Sequence, residues 1–398
     1  MITVIGRDGG PLRAEAATAL AAAGRVVGAP RHLDAVALPA AAERVEIGKI
    51  LDEALDAICS VPPGSGPGNV VVLASGDPGF FGIVRALRAR GAEPAIIPAV
   101  SSVALAFGRL GLDWDDALVI SAHGRDPRRA LAAALAHPKA AILTSPGTAR
   151  ELGTELAAAG RTVYVAERLG TPEERVGQLT GHQLSGREPA EPNVLIAVDP
   201  AAPNAPRWLA GHTGAPHGWA LPEEAFEHRD SMITKAEVRA LVLARLGPAP
   251  GRAIWDIGAG SGSVAVECAR FGAWVTAVEQ DPGQCRRIRQ NAAAHHVYLR
   301  VAHGRAPGVL AGLPSPDAMF AGGGDGDVLA ACVRAGRPER VVVTLAAVDR
   351  VGPVTELLAS LDYRLDGVQL QASRLAPLPG GAHRLAAQNP VFVLWGER

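Results

Sequence analysis

An apolar run ending in three alternate glycines constrains this chain more than any other stretch. Ala253–Ile257 reads as a buried strand, Gly258, Gly260 and Gly262 follow, and Ser263–Arg270 has helical spacing with Val264, Ala265, Cys268 and Ala269 on one face. Such a strand–glycine–helix corner lets backbone approach a ligand and aims helix N–H groups at it. A second strand, Ala273–Val278, ends in Glu279, whose carboxylate is placed beside the corner to accept hydrogen bonds from a ribose diol. Dinucleotide folds want a glycine at 263, where this chain has Ser263. Asp256, two residues before the first glycine, repels a pyrophosphate but can help hold a cationic amino-acid group. The plain alternative is a glycine-rich turn in an ordinary α/β sheet. Acids at both 256 and 279 favour a nucleotide-type site built from Asp256, Gly258, Ala259, Gly260, Ser261, Gly262 and Glu279.

A chain of 398 residues accommodates two or three domains. The formal net charge of −1 argues against a general binder of nucleic acid or membrane surfaces, so no nucleic-acid or membrane partner is expected. No apolar run is long enough to span a bilayer, and the N-terminus enters a strand without a signal-like segment, so a cytoplasmic location is expected. Cys59, Cys268, Cys285 and Cys332 are scattered without a Cys-x-x-Cys pair; no disulfide framework and no metal site are expected.

The first half alternates strands and helices. Met1–Gly6 reads as a strand, Leu12–Ala23 as a helix, Val26–Gly28 as a strand, Ile50–Ile58 as a helix and Val61–Asn69 as a loop. Val70–Ala74 is a buried strand that delivers Ser75-Gly76-Asp77-Pro78-Gly79, after which Phe80 and Phe81 start a helix running through Ile83–Arg90. Ligands in open α/β sheets bind beyond the carboxyl ends of strands, where Gly76-Asp77-Pro78 supplies a carboxylate and free N–H groups; alone, a tight turn with an Asp cap explains it as well. Ala95–Pro98 is another strand, with Ser101 and Ser102 capping the helix to Leu110, and Val119–Ser121 leads into Ala122-His123-Gly124-Arg125.

On Gly76-Asp77-Pro78, Pro98-Ala99-Val100-Ser101-Ser102 and Ser121-Ala122-His123-Gly124-Arg125, residues 1–200 resemble the tetrapyrrole methylases. The resemblance implies two α/β lobes with S-adenosylmethionine in the cleft between them, contacted by Gly76, Asp77, Pro78, Phe81, Ser101 and Ser102. It implies a substrate rich in carboxylates, which His123 and Arg125 bind; the planar fork of an arginine suits that task. The family's usual Gly-x-Gly-Pro-Gly-Asp appears only as Gly6-Arg7-Asp8-Gly9-Gly10. Residues 201–224, rich in proline and glycine, read as a linker.

Residues 225–398 resemble class I S-adenosylmethionine methyltransferases, a Rossmann-like fold, with the glycine corner as motif I and Glu279 as the acidic motif II. Ile233-Thr234-Lys235-Ala236-Glu237-Val238-Arg239 matches the small decarboxylating precorrin methyltransferases, where this segment lies over the methionine end of the donor. Thr234 and Glu237 also have capping-box spacing before an apolar helix at Val238–Leu246. Strands at Tyr298–Ala302 and Asp317–Ala321 deliver His303-Gly304-Arg305-Ala306-Pro307 and Gly322-Gly323-Gly324-Asp325. Donor contacts through the backbone are expected at Gly304 and Ala306; Arg305 stands where the family has an acid. Gly322, Gly323 and Gly324 suggest close approach by a flat substrate, with a flexible turn as the alternative. Arg340–Leu345, Arg364–Gln371 and Pro390–Trp395 read as closing strands, with a loop at Pro377–His383 over the site.

The whole is thus an α/β chain: a two-lobed methylase domain (1–200), a linker (201–224) and a Rossmann-like methyltransferase domain (225–398). The order of two unlike modules resembles the fused precorrin methyltransferases of cobalamin biosynthesis. That resemblance implies two S-adenosylmethionine sites, one per domain, two methyl transfers to meso carbons of precorrin-6B, loss of carbon dioxide from an acetate side chain to give precorrin-8, and association into a homo-oligomer. A meso carbon is itself enamine-like and the macrocycle an electron sink, so no residue is assigned as catalyst. An RNA or protein methyltransferase and a nicotinamide oxidoreductase remain as other readings.

Overall fold

The computed structural model describes residues 1–47, 51–59, 69–202, 210–211, 218–229, 233–323 and 326–398. The loop expected at 61–69, most of the linker and Gly324 fall largely or wholly outside these. The chain forms two compact units, one of residues 1–123 and 139–200, the other of 124–138 and 201–398.

Unit 1 opens with β1 (Ile2–Arg7), α1 (Ala14–Ala21), β2 (Ala23–Gly28), α2 (Pro30–Leu33), β3 (Glu43–Glu46), α3 (Leu51–Cys59), β4 (Asn69–Ser75), α4 (Ile83–Ala89) and β5 (Ala95–Ile97). The five strands make one parallel sheet in the order β3-β2-β4-β1-β5. Alternate residues face opposite sides. Ile5, Val26, Val71 and Leu73 pack under Ala16 and Leu20 of α1, while Val4, Val27, Val70 and Val72 pack under Leu55 and Ile58 of α3 and Val84 and Leu87 of α4. The helices that follow β1 and β4 thus lie on opposite faces, so the carboxyl ends of these neighbouring strands open a crevice, the place where such sheets bind ligands.

The chain continues through α5 (Ser102–Leu110), β6 (Leu118–Ser121), α6 (Pro127–Leu135), β7 (Lys139–Leu143), α7 (Thr148–Ala158), β8 (Thr162–Glu167), β9 (Arg175–Leu179), α8 (Gly181–Ser185) and β10 (Asn193–Val198). The strands form a mostly antiparallel sheet, β6-β7-β10-β8-β9. Ser101 caps α5 by accepting the Ala104 N–H at 3.1 Å, as its sequence position predicts. Phe80 and Phe81 do not enter α4. They lie in the turn before it, both partly exposed, because Gly82 packs so closely on Pro78 that a Cβ there would meet the Pro78 carbonyl oxygen at 2.3 Å.

Unit 2 holds α9 (Ala236–Leu246), β11 (Ala253–Ile257), α10 (Ser263–Arg270), β12 (Trp274–Glu279), α11 (Pro282–Ala294), β13 (Arg300–His303), β14 (Ala318–Gly322), α12 (Gly326–Gly336), β15 (Arg340–Leu345), α13 (Val351–Ser360), β16 (Arg364–Leu370), β17 (Ser373–Pro377), β18 (His383–Ala387) and β19 (Val391–Glu397). Seven strands form one sheet, β13-β12-β11-β14-β15-β19-β16, parallel except for β19, which is antiparallel to both neighbours. Its fully buried strands read as continuous apolar runs, as two-sided burial requires. Helix α6 belongs to this unit: Ala132 packs with Ala253 and Trp274, and Arg129 pairs with Asp317 at 2.8 and 3.0 Å.

One expectation fails here. The capping box does not form: α9 begins at Ala236 without a side-chain cap, the Ala236 N–H donates to Glu223 Oε1 at 2.8 Å, and Glu237 is engaged by Arg374. A bidentate charged partner outcompetes a neutral local cap. The loop read at Pro377–His383 is present as the connection of the hairpin β17–β18, whose two short strands the sequence reading did not include.

Candidate active site

In unit 2 the strand ends gather the expected residues on one edge. β11 ends at Gly258, β12 at Glu279, β13 just before Gly304, and β14 at Gly322, with Ile257 paired to Val278 and Ala321 and Glu279 to His303. Gly258, Gly260 and Gly262 have φ of 69°, 57° and 77°, a region that disfavours any residue with a Cβ. The three differ in what surrounds them. A Cβ at Gly262 would strike Ile288 at 2.9 Å, whereas at Gly258 or Gly260 it would meet nothing within 4 Å among the described residues. Gly262 therefore serves packing of α10 on α11, and the other two leave an open cradle.

Glu279 sits in that cradle's wall. Its Oε2 accepts the Gly260 N–H at 2.8 Å and its Oε1 the Asp281 N–H at 2.9 Å. With lone pairs remaining on both oxygens, it can still accept from a ligand diol. Asp256 lies behind the loop, 1% exposed; its Oδ2 accepts the Ala265 N–H at 3.0 Å and its Oδ1 has no partner among the described residues. Burial, with Glu279 nearby, pushes its carboxyl up to about 7. It shapes the corner from within.

Ser261 is buried, and its carbonyl accepts the side-chain amide of Asn291 at 2.8 Å, so α11 fixes the back of the loop. Ala259 is half-buried. Gly304 has φ 154° beside Val309, and its N–H donates to the Glu279 carbonyl at 2.9 Å, tying the third loop to the second; Ala306 is half-buried just beyond. Gly322 and Gly323 continue the same edge, Gly323 with φ 85° and open space where a Cβ would be. Thr234 precedes α9, its carbonyl bonded by Arg239.

Sequence reading missed what holds that segment. Arg239 and Glu267, each fully buried, pair at 3.4 Å, and Glu267 also takes the Leu221 N–H at 2.7 Å. Arg374 of β17 makes two bidentate pairs, to Glu223 at 2.7 and 2.9 Å and to Glu237 at 2.7 and 2.6 Å. These bonds hold Glu223 down to about 2. They strap the β17–β18 hairpin to the start of α9.

In unit 1 three loops interlock at the carboxyl edge of the parallel sheet. A Cβ on Gly6 would lie 2.4 Å from the Gly76 carbonyl oxygen and 2.6 Å from the Ala99 nitrogen; one on Gly76 would lie 3.1 Å from the Ser102 nitrogen. Gly76, Ser101 and Ser102 are thereby brought together with the first loop. Asp77 Oδ1 accepts the Gly79 N–H at 2.8 Å, and Pro78 is buried. Phe81 has φ 54°, rare for an aromatic residue and a form of strain found at ligand sites. His123, the last residue of the unit's first segment, and Arg125, already in unit 2, are both exposed on the turn after β6.

S-adenosylmethionine suits these residues: an open glycine cradle with an acceptor carboxylate in unit 2, and a carboxylate loop at a sheet crevice in unit 1. Among the described residues there is no cluster that could hold a metal ion, and no helix is long and apolar enough to cross a membrane.

Residues 224–396 match the profile of the precorrin methyltransferase domain, and residues 10–185 that of the tetrapyrrole (corrin/porphyrin) methylases. A precorrin-6Y C(5,15)-methyltransferase (decarboxylating) of Sinorhizobium sp is 37% identical over 332 residues, 78% of this chain and 76% of its own length. A cobalt-precorrin-6B C(15)-methyltransferase (decarboxylating) of Salmonella typhimurium is 36% identical over 44% of this chain and 94% of its own. The solved C-terminal domain of precorrin-6Y C5,15-methyltransferase from Rhodobacter capsulatus is 31% identical with a TM-score of 0.40, covering 45% of this chain and 97% of that one.

Proposed function

The chain belongs to the precorrin-6Y C(5,15)-methyltransferase (decarboxylating) family and is a C-methyltransferase of tetrapyrrole biosynthesis, and from that premise we propose two donor sites with divided labour. The domain of residues 1–200 methylates one meso carbon of a precorrin; that of residues 225–398 methylates the other and releases carbon dioxide from an acetate, giving precorrin-8. S-adenosylmethionine supplies a methyl group already activated on a sulfonium, so the protein's task is to bind, align and keep water out.

The observation that carries this reading is the glycine cradle with Glu279 beside it, made of backbone that no side chain fills. There Glu279 orients the ribose, and the N–H groups of the corner and the loop at Gly304 and Ala306 take up the rest of the donor. Asp256, neutral below about 7 and bonded to α10, keeps the corner's shape rather than pairing with the ligand. Thr234 and the residues just before α9 cover the methionine end, and Gly322 and Gly323 leave room for a flat macrocycle. In the first domain Gly76, Asp77, Pro78, Phe81, Ser101 and Ser102 bind the second donor, while His123 and Arg125 meet substrate carboxylates. No side chain has to act as nucleophile. The test is mass spectrometry of the purified chain with precorrin-6B and S-adenosylmethionine: two methyl additions and one lost carbon dioxide are expected, and a product that keeps its carboxyl overturns the reading.

A further inference from the structure

The first loop of unit 1, atypical for its family, leads to two arginines and a histidine that have no carboxylate partner among the described residues. Arg7 is the last residue of β1 and lies in register with Ser75, the last residue of β4, at the crevice described above. The neighbouring strand β2 runs into α2, which brings Arg31 and His32 to the same Ser75: Arg31 Nη2 is 2.9 Å and His32 Nε2 is 2.8 Å from its Oγ. Arg7 is 9% exposed; its Nη1 donates to the Gly10 carbonyl at 3.1 Å, but its Nε is buried without a partner among the described residues. Among the described residues no carboxylate pairs with Arg7, Arg31 or His32. The nearby acids are turned elsewhere, Asp8 to the Gly10 and Val100 N–H groups at 3.0 and 3.5 Å, and Asp77 to that of Gly79.

Two arginines brought together without a carboxylate raise the energy of the free protein, and an anion relieves it. Burial first, then Arg31 and Arg7, hold His32 down at about 4, so its ring is neutral near pH 7 and serves as a hydrogen-bonding group beside them. Arg7 also lines a cleft of about 500 Å³ whose other walls are Leu12, Ala17, Leu20 and Val36 among further uncharged residues, with Arg7 its one charged residue. An apolar cleft with a buried cation fits a carboxylate carried on a hydrophobic frame better than it fits a bare, strongly hydrated phosphate.

We infer that Arg7, Arg31, His32 and Ser75 form a carboxylate-anchoring corner that seats an acidic side chain of the tetrapyrrole in the first domain. The inference deepens the proposed function and rests on it for the identity of the frame. The donor's own carboxylate is the other possible source of the charge, so the test separates the two. Full-length protein and its Arg31→Ala and Arg31→Lys variants are titrated with an octacarboxylate porphyrin, with its octamethyl ester and with S-adenosylmethionine.

The unaltered protein should bind the acid over the ester. Arg31→Ala should weaken acid binding about ten- to a hundredfold, the worth of one charge-assisted hydrogen bond, and Arg31→Lys should recover part of it. Donor affinity should stay unchanged, and melting temperature should hold or rise because repulsion is relieved. Equal binding of acid and ester by the unaltered protein, or an undiminished acid affinity in Arg31→Ala, overturns the corner. A loss in donor affinity instead hands the corner to the donor's carboxylate and equally overturns the assignment. Failure of the function proposal reads differently: no methyl transfer to precorrin-6B, with the Arg31-dependent preference for the acid intact.

Discussion

The glycines of the two units do opposite work, although both sets lie at the carboxyl ends of parallel strands. In unit 2, Gly258, Gly260 and Gly323 face open space. In unit 1, Gly6 is pressed on Gly76 and Ala99, and Gly9 on Gly170, where an added Cβ would fall 1.9 Å from a carbonyl oxygen. One set keeps a cradle empty; the other lets loops interlock. Side-chain charge is used in a parallel way. Unit 2 anchors its hairpin with paired ions, Arg374 to Glu223 and Glu237, while in unit 1 Arg7 and Arg31 have no carboxylate among the described residues. A saturated charge is structural. An unsaturated one waits for a ligand.

The sharpest way to break this contrast is Gly260→Val. A β-branched side chain enters the cradle at φ 57°, so carbon dioxide release should fall by about 10²-fold or more in a protein whose circular dichroism is unchanged. Asp77→Ala should lose one methyl addition and still release carbon dioxide; if product masses show decarboxylation gone, the division of labour between the domains is wrong. Glu279→Ala should weaken one of two donor-binding events by about ten- to a hundredfold in calorimetry while the other stays put.

Stability measurements test the two uses of glycine directly. Gly9→Ala should cost about 3 kcal/mol by denaturant titration, because backbone must move; Gly260→Ala should cost only the left-handed backbone term of about 1–2 kcal/mol. Equal costs would show that the cradle is no more open than the interlock. Arg374→Ala should cost about 1–2 kcal/mol, less than a wholly buried pair because the arginine is a third exposed. Since Glu223 titrates at about 2 when paired, its contribution is full above its ordinary range near 4.5 and is lost as pH falls towards 2. The gap in melting temperature between the two proteins should shrink accordingly.

A pH series tests the buried carboxyl of the corner, Asp256. Its raised value means the folded protein binds the extra proton between about 4 and 7, so wild-type stability declines as pH rises through that window. Asp256→Asn does not titrate and should gain on wild type from pH 4 to 7, then run parallel. A gap independent of pH would mean that the carboxylate is already charged.

The glycine corner, Glu279 and the Gly76-Asp77-Pro78 turn were legible in the sequence because their geometry is local. A positive φ, a strand end and a capping serine are settled within a few residues, so the spacing alone announces them. The short exposed strands β3, β9, β17 and β18 were not, since each is only four or five residues long and carries few apolar side chains to mark a strand. The capping box at Thr234 and Glu237 was legible and did not form, because Arg374, 137 residues downstream of Glu237, makes the stronger bond. Arg31 and His32 were invisible as a site: only the strand order β2-β4-β1 sets them on Ser75, 44 and 43 residues away, beside Arg7. Sequence determines which backbone positions must be glycine and where a strand delivers an acid. Whether that glycine guards a ligand or a packing contact, and whether a charge is paired or left waiting, depends on groups far along the chain that only the folded sheet brings together.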